Sequence, residues 1–262
     1  MTQMNFTGKT VVITGASTGI GLGYAHEFAK RGANLVLVAR NKDLLETVAA
    51  DIKATENIEI TTIALDLSSL ESGQKLMDML GKENLTADVL VNNAGFGTNT
   101  RVAKEDRKKI QQEIVLNVAT LVDLTTAVIP GMLDRDFGVV INIASTASYQ
   151  PVPGMAVYAA TKAFVRSFTE ALWGELQGTN VRALTVSPGA TKTEFFNVAG
   201  FTPPGGMAPV SDVVKATFVA LDSKTSSPSI IVGGQNSMMA NITRFAPTKT
   251  VIKIAGKMFL ND

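Results

Sequence analysis

Short runs of Val, Ile and Leu recur along this chain, each followed by a stretch of helical spacing. That alternation limits the fold more than any single motif does. The runs cover residues 10–14, 34–39, 58–65, 88–91, 139–144, 181–186 and 229–232. They are short and apolar at consecutive positions, as strands buried on both faces are. Helical patterns at residues 24–31, 41–54, 70–80, 104–132, 156–173 and 211–221 fill the intervals. In the second of these Leu44, Leu45, Val48 and Ile52 form the apolar stripe. The fourth is expected to end near Pro130 and Gly131, since proline stops a helix. Strands joined by helices pair in parallel, because a parallel connection must cross over the sheet. The expected fold is α/β, a doubly wound parallel β-sheet with helices on both faces, in a single domain over residues 1–262. Sites in such a sheet form at the carboxyl ends of the strands.

Composition removes several function classes. Hydrophobic residues make up 45% and charged residues 18%, which suits a packed core rather than a disordered chain. Net charge is +1 with no basic stripe, so nucleic acid is not an expected partner. There is no Cys and a single His, His26, read as structural; a zinc-dependent chemistry has no ligands, and no metal is expected. Residues 1–9 have no apolar core of signal-peptide length, and no segment is expected to reach membrane-spanning length. A cytoplasmic protein is the resulting expectation.

Two stretches carry chemistry. The first run breaks at Gly15 and continues Ala16-Ser17-Thr18-Gly19-Ile20-Gly21 into a helix. Glycines let the backbone turn tightly and approach a pyrophosphate, and the helix N-terminus offers free amides and a positive dipole end. The second stretch ends a strand at Ser145 and opens a helix holding Tyr158 and Lys162. Tyr158 and Lys162 lie one turn apart on one face. A phenol with a pKa of about 10 serves poorly near neutrality unless a cation stabilises its phenolate. Lys162 is such a cation, and an oxidised nicotinamide ring would be a second. The Ser145 hydroxyl can donate and accept. Asn117, amid Ile114, Val115, Leu116, Val118 and Leu121, needs a hydrogen-bond partner, whether as a core amide or as a functional group. Asp66 follows the third run and could cap the next helix.

Together these motifs resemble the short-chain dehydrogenase/reductase family, in its Tyr-x-x-x-Lys subgroup, over residues 10 to about 195. The resemblance implies a Rossmann-like domain that binds a dinucleotide. Gly15, Ser17, Thr18, Gly19, Ile20 and Gly21 would hold the phosphates, and Asp66 with Leu67 the adenine. In the Asn92-Asn93-Ala94-Gly95 motif, Asn92, Ala94 and Gly95 would line the ribose. Asn117 would hold a water in the proton relay. Ser145 would polarise the carbonyl, Tyr158 would pass the proton, and Lys162 would lower the phenol pKa and hold the ribose. Pro188, Gly189, Thr191 and Thr193 would engage the nicotinamide carboxamide. Enoyl reductases of this fold space Tyr and Lys more widely, and sugar-nucleotide epimerases have a different glycine pattern.

The second strand run ends at Arg40 with no carboxylate, where NAD enzymes of this fold place an acidic residue. Arg40 could meet the 2′-phosphate of NADP, or be a solvated helix-entry residue. NADP(H) is the preferred cofactor on this reading and NAD(H) the second choice. Phe96, Val152, Met155, Phe195 and Phe196, with Phe201, lie on segments that would border the substrate, and residues 194–209 form the loop expected to act as its lid. The expected function is NADP(H)-dependent oxidoreduction between a carbonyl and a secondary alcohol, on an apolar, acyl or ring small molecule such as a 3-oxoacyl thioester or a hydroxysteroid-like compound. The alternative is an NADP(H)-binding sensor without catalysis. Helix 158–176 is apolar around most of its circumference and helix 104–132 on more than one face along its second half, which implies a homodimer or homotetramer. The tail, residues 236–262, mixes Met, Ile and Phe with Lys and reads as packing on its own domain or on a neighbouring subunit, in preference to a membrane-surface helix.

Overall fold

In a computed structural model the described residues are 3–203, 205–223, 225 and 227–260, so the outermost two residues of the domain at each end, including the end of the tail, lie outside them. The chain order is β1 (Thr10–Thr14), α1 (Gly19–Lys30), β2 (Asn34–Ala39), α2 (Lys42–Lys53), β3 (Ile60–Ala64), α3 (Ser72–Lys82) and β4 (Val89–Asn92). It continues with α4 (Arg107–Ile114), a π-helical turn (Val115–Ala119), α5 (Thr120–Asp134), β5 (Gly138–Ile143), α6 (Ala156–Glu175) and β6 (Val181–Ser187). Then come α7 (Phe195–Ala199), α8 (Val210–Leu221), β7 (Ser229–Ile231), α9 (Gly234–Phe245) and α10 (Thr248–Phe259).

The seven strands form one parallel sheet in the order β3-β2-β1-β4-β5-β6-β7. The chain winds outward from β1 to one edge and then crosses to β4 on the other side. The switch point between β1 and β4 leaves a crevice at the carboxyl ends of both strands. On one face Tyr24, Phe28, Leu35, Leu37, Leu45 and Phe218 pack beneath α1, α2 and α8. On the other, Leu76, Leu80, Leu90, Leu124, Met132 and Leu172 pack beneath α3, α5 and α6. Each buried side chain of this size stabilises by about 1.5–3 kcal/mol, against about 1 kcal/mol for a hydrogen bond, so layer packing holds the sandwich. Polar contacts then fix its alignment: the buried Tyr24 hydroxyl bonds Thr217 at 2.7 Å, and Arg31 pairs with Asp222 at 2.9 Å while lying over the Phe218 ring.

Four local expectations are corrected. Leu44 is exposed and Ala49 takes its place on the buried face of α2. Asp66 does not cap α3; it accepts from the Ser68 amide and hydroxyl, and Glu71 occupies the N-cap. Pro130 does not end its helix, because it and Thr126 both face solvent, where the carbonyl it leaves unpaired can be hydrated. The π turn does not interrupt that helix either. The stretch Arg107–Asp134 is therefore a 28-residue helix of mean hydropathy 1.6, long and apolar enough by length and composition to cross a membrane, contrary to the expectation for this chain. One side of it packs in the second core layer, as a core helix of the same composition would.

Candidate active site

The turn after β1 is shaped by what a side chain would strike. Gly15 and Gly19 have φ of +65° and +56°, a region that L-residues rarely adopt. A Cβ on Gly21 would run into the Gly15 carbonyl and the Asn93 amide. Asn93 holds the turn in place, donating to Thr14 O at 2.9 Å and Gly15 O at 3.1 Å, while the Thr14 hydroxyl accepts from the Asn93 and Ala94 amides. Beyond the turn opens a cavity of about 1370 Å³ that runs past Ser17, Thr18, Arg40, Asp66, Leu67 and Ala94 to Ser145, Tyr158 and Lys162. The glycine cradle, the free N-terminus of α1 and the length of the cleft fit a dinucleotide. Arg40 is exposed at the cleft wall and makes no ion pair among the described residues.

At the far end α6 buries Tyr158 and Lys162 together. The Lys162 ammonium lies 5.8 Å from the centre of the Tyr158 ring and donates to Ile143 O at the end of β5, at 2.7 Å. Burial pushes the phenol up to about 12, the Ser145 hydroxyl beside it acts to lower it, and the negative charge of Glu113 adds to the rise. Burial likewise holds Lys162 down at about 8, with Glu113 acting in the opposite direction. The Ser145 hydroxyl accepts from the Ala147 amide at 3.1 Å, which fixes its oxygen at the strand exit.

Most of the residues singled out from the sequence line this one cleft, including Gly15, Ser17, Thr18, Gly19, Ile20, Gly95, Pro188, Gly189, Thr191 and Thr193. Three do not. Gly21 is buried against the glycine turn itself. Asn92 points into the sheet, donating to Thr125 and Asn142 at 3.0 and 2.9 Å, and its neighbour Asn93 reaches the cleft instead. Asn117 is buried in the π turn, accepting from the Phe96 amide and donating to Phe96 O and Thr161 Oγ1. Asn117 is thus a satisfied core amide, at a backbone irregularity of the kind that gathers at functional sites.

On the substrate side the rings make a continuous line. Tyr158 meets Phe195 at 5.1 Å, Phe195 meets Phe196 at 5.3 Å, Phe196 meets Phe201 at 5.4 Å and Phe201 meets Phe259 at 5.7 Å. Val152 and Met155 are buried beside Tyr158. The expected lid loop is in part helical, since α7 carries Phe195 and Phe196. Sequence reasoning missed Asn93, Lys109 and Gln112 on the cleft wall, and the roof that Met239, Thr243 and Met258 of α9 and α10 supply. It also missed Glu113, although a charged residue one turn before Asn117 in an apolar helix was a readable signal.

The sequence profile described as short chain dehydrogenase matches residues 9–200. The very-long-chain 3-oxoacyl-CoA reductase of Rattus norvegicus is 35% identical over 241 residues, covering 88% of this chain and 76% of that protein. The NADP-dependent 3-hydroxy acid dehydrogenase of Schizosaccharomyces pombe is 35% identical over 190 residues, covering 72% and 73%. Among solved structures, a short-chain dehydrogenase from Sphingobium yanoikuyae in complex with NADPH superimposes with a TM-score of 0.82 at 32% identity, over 90% of this chain and 92% of that one.

Proposed function

The chain belongs to the short-chain dehydrogenase family, and from that premise we propose that it is an NADP(H)-dependent reductase acting on the carbonyl of an extended apolar substrate, with 3-oxoacyl thioesters as the leading class. The observation that carries this reading is the line of aromatic rings leading from Tyr158 to Phe259 above a buried phenol–ammonium pair. A polar substrate would have to leave its hydration along that wall. Gly15, Gly19 and the free N-terminus of α1 would hold the dinucleotide, which would supply the hydride for the carbonyl carbon. Tyr158 donates its phenolic proton to the carbonyl oxygen, and Ser145 hydrogen-bonds that same oxygen and orients it. Lys162 lowers the cost of the phenolate left behind. Asn117 fixes the Phe96 backbone and with it the wall beside the phenol. Arg40, on the cleft wall, would hold the 2′-phosphate through charge-assisted hydrogen bonds.

A homo-oligomer is part of the same reading. Phe164 on α6 is 43% exposed and stacks on Phe168, and Ile114 and Leu133 are exposed on the Arg107–Asp134 helix. Apolar side chains on faces the sheet does not cover fit a second subunit. The test of function is NADPH oxidation with 3-oxoacyl thioesters of increasing chain length beside small polar ketones. A kcat/KM that rises with chain length supports the assignment. Better turnover of the small polar ketones overturns the substrate class, and no turnover of any carbonyl overturns the enzyme.

A further inference from the structure

Behind the proposed catalytic pair lies a carboxyl group that the mechanism above does not use. Glu113, on the last turn of α4, is fully buried. One oxygen accepts from the Thr98 hydroxyl at 2.9 Å, while the other is buried with no hydrogen-bond partner among the described residues. Residues 95–98 form the layer between it and α6. Within that layer Gly97 lies against the Tyr158 ring, and Gly95 faces both the Asn117 amide oxygen and the Lys162 ammonium. Lys162 itself is hydrogen-bonded to a neutral carbonyl, Ile143 O, and no carboxylate among the described residues pairs with it directly.

We propose that Glu113 is a positioning residue for the catalytic pair: across the 95–98 layer it is the counter-charge that keeps buried Lys162 protonated, and through Thr98 it holds that layer against Tyr158. This rests on the assignment of Tyr158 and Lys162 as the proton-transfer pair. The groups that act on Glu113 are Lys162 from α6, Lys109 from its own helix and Glu105 just before that helix; its charge in turn reaches Tyr158. Burial pushes Glu113 up to about 7 with Lys162 acting to lower it, and holds Lys162 down at about 8 with Glu113 acting to raise it, so each favours the charged form of the other. Wherever Glu113 is ionised, its carboxylate resists loss of the proton from Lys162. The ammonium is thus preserved over the range in which burial alone would neutralise it. The direct repulsion between Glu113 and a Tyr158 phenolate acts the other way, but the phenol, at about 12, stays loaded as an acid across that range.

The experiment compares wild type with E113Q, which keeps the volume and an acceptor for Thr98 but removes the charge, and with E113D, which keeps the charge. Two readouts are taken: kcat for carbonyl reduction as a function of pH, and titration of the Lys162 ammonium by NMR of lysine-labelled protein without substrate, assigned with Lys162→Met. The expected result is a Lys162 titration displaced to lower pH in E113Q and a kcat ratio of E113Q to wild type that falls roughly tenfold between about pH 6 and about pH 8. E113D should recover part of both. Superimposable kcat profiles overturn the proposal, as does an unmoved Lys162 titration. A wild type that reduces no carbonyl defeats the enzymatic assignment instead, and the NMR titration still decides whether Glu113 holds the proton on Lys162.

Discussion

The two ends of the cleft are built differently. At the glycine turn the backbone is pinned by fixed partners: Asn93 bridges to two carbonyls, Thr14 serves two amides, and Gly21 leaves no room for a methyl group. At the roof over the substrate end, α9 and α10 are joined to the body by a few contacts, among them Asn99 to Phe259 O at 3.2 Å, Thr243 to Tyr149 O at 3.4 Å and the Phe201–Phe259 ring pair. Phe245 on α9 is 86% exposed and Met238 is 57% exposed. Binding a constant ligand favours a preorganised, hydrogen-bonded cradle, whereas accommodating an apolar chain needs surface rather than fixed partners. The contrast fits the function proposed above, with the turn holding the cofactor and the roof fitting the substrate.

The largest expected effect lies where the two ends meet. Tyr158→Phe keeps the ring packed on Phe195 and removes only the transferable proton. Turnover should fall by about 10²–10⁴-fold with cofactor affinity little changed, measured by steady-state rates beside cofactor titration. Retention of more than about a tenth of the rate would remove Tyr158 from proton transfer. A pair of glycine substitutions then sharpens the comparison itself. Gly21→Ala drives a methyl into the Gly15 carbonyl, so overpacking should cost roughly 1–3 kcal/mol and weaken dinucleotide binding. Gly206→Ala, in the lid loop just before α8, has open space around it and should be nearly neutral. Thermal melts with and without NADPH measure both, and equal shifts for the two variants would erase the distinction between the two ends of the cleft.

The cradle was legible in the sequence because its rules are local. Glycine spacing after a strand, a Ser at a strand exit and a Tyr–Lys pair one turn apart each signal their geometry within a few residues. The fold was legible for the same reason, as alternation of period and length. What escaped was decided by tertiary contacts. Asn92 and Asn93 are identical residues, and only the sheet register, which pairs Asn92 with Asn142, shows which one turns inward. Pro130 reads as a stop, but the solvent beside it lets the helix continue. Residues 238–262 showed Met, Ile and Phe among Lys without showing that Met239 and Met258 would face the cleft.

Cofactor choice is the next effect in size. Arg40 is exposed at the cleft wall and free of ion pairs among the described residues, so its charge is available to a 2′-phosphate. The turn offers Thr18, not a second basic residue, which leaves the preference resting on one cation. A charge-assisted contact contributes about 1.5–3 kcal/mol, and Arg40→Ala should lower the NADPH-to-NADH ratio of kcat/KM by roughly 10- to 150-fold. A ratio untouched by the substitution would take Arg40 out of the cofactor site.

The smallest expected effect falls on the lid where it meets the roof, and it separates substrate fit from stability. Phe201 is half-buried and touches Phe196 and Phe259 at 5.4 and 5.7 Å. Phe28, by contrast, is fully buried between Phe6 and Phe218. Phe28→Ala should cost about 3–5 kcal/mol of stability, because the core around it cannot close over the lost ring. Phe201→Ala loses one or two ring pairs worth about 0.5–1.5 kcal/mol each, at a site that solvent can fill. Its melting temperature should therefore move little, while kcat/KM for a long-chain carbonyl substrate falls roughly 3- to 10-fold and that for a short polar ketone stays level. The selective loss is the informative outcome. Equal losses on both substrates would mean that Phe201 only braces α7 against α10, and the ring line would then be packing rather than a track for an apolar chain.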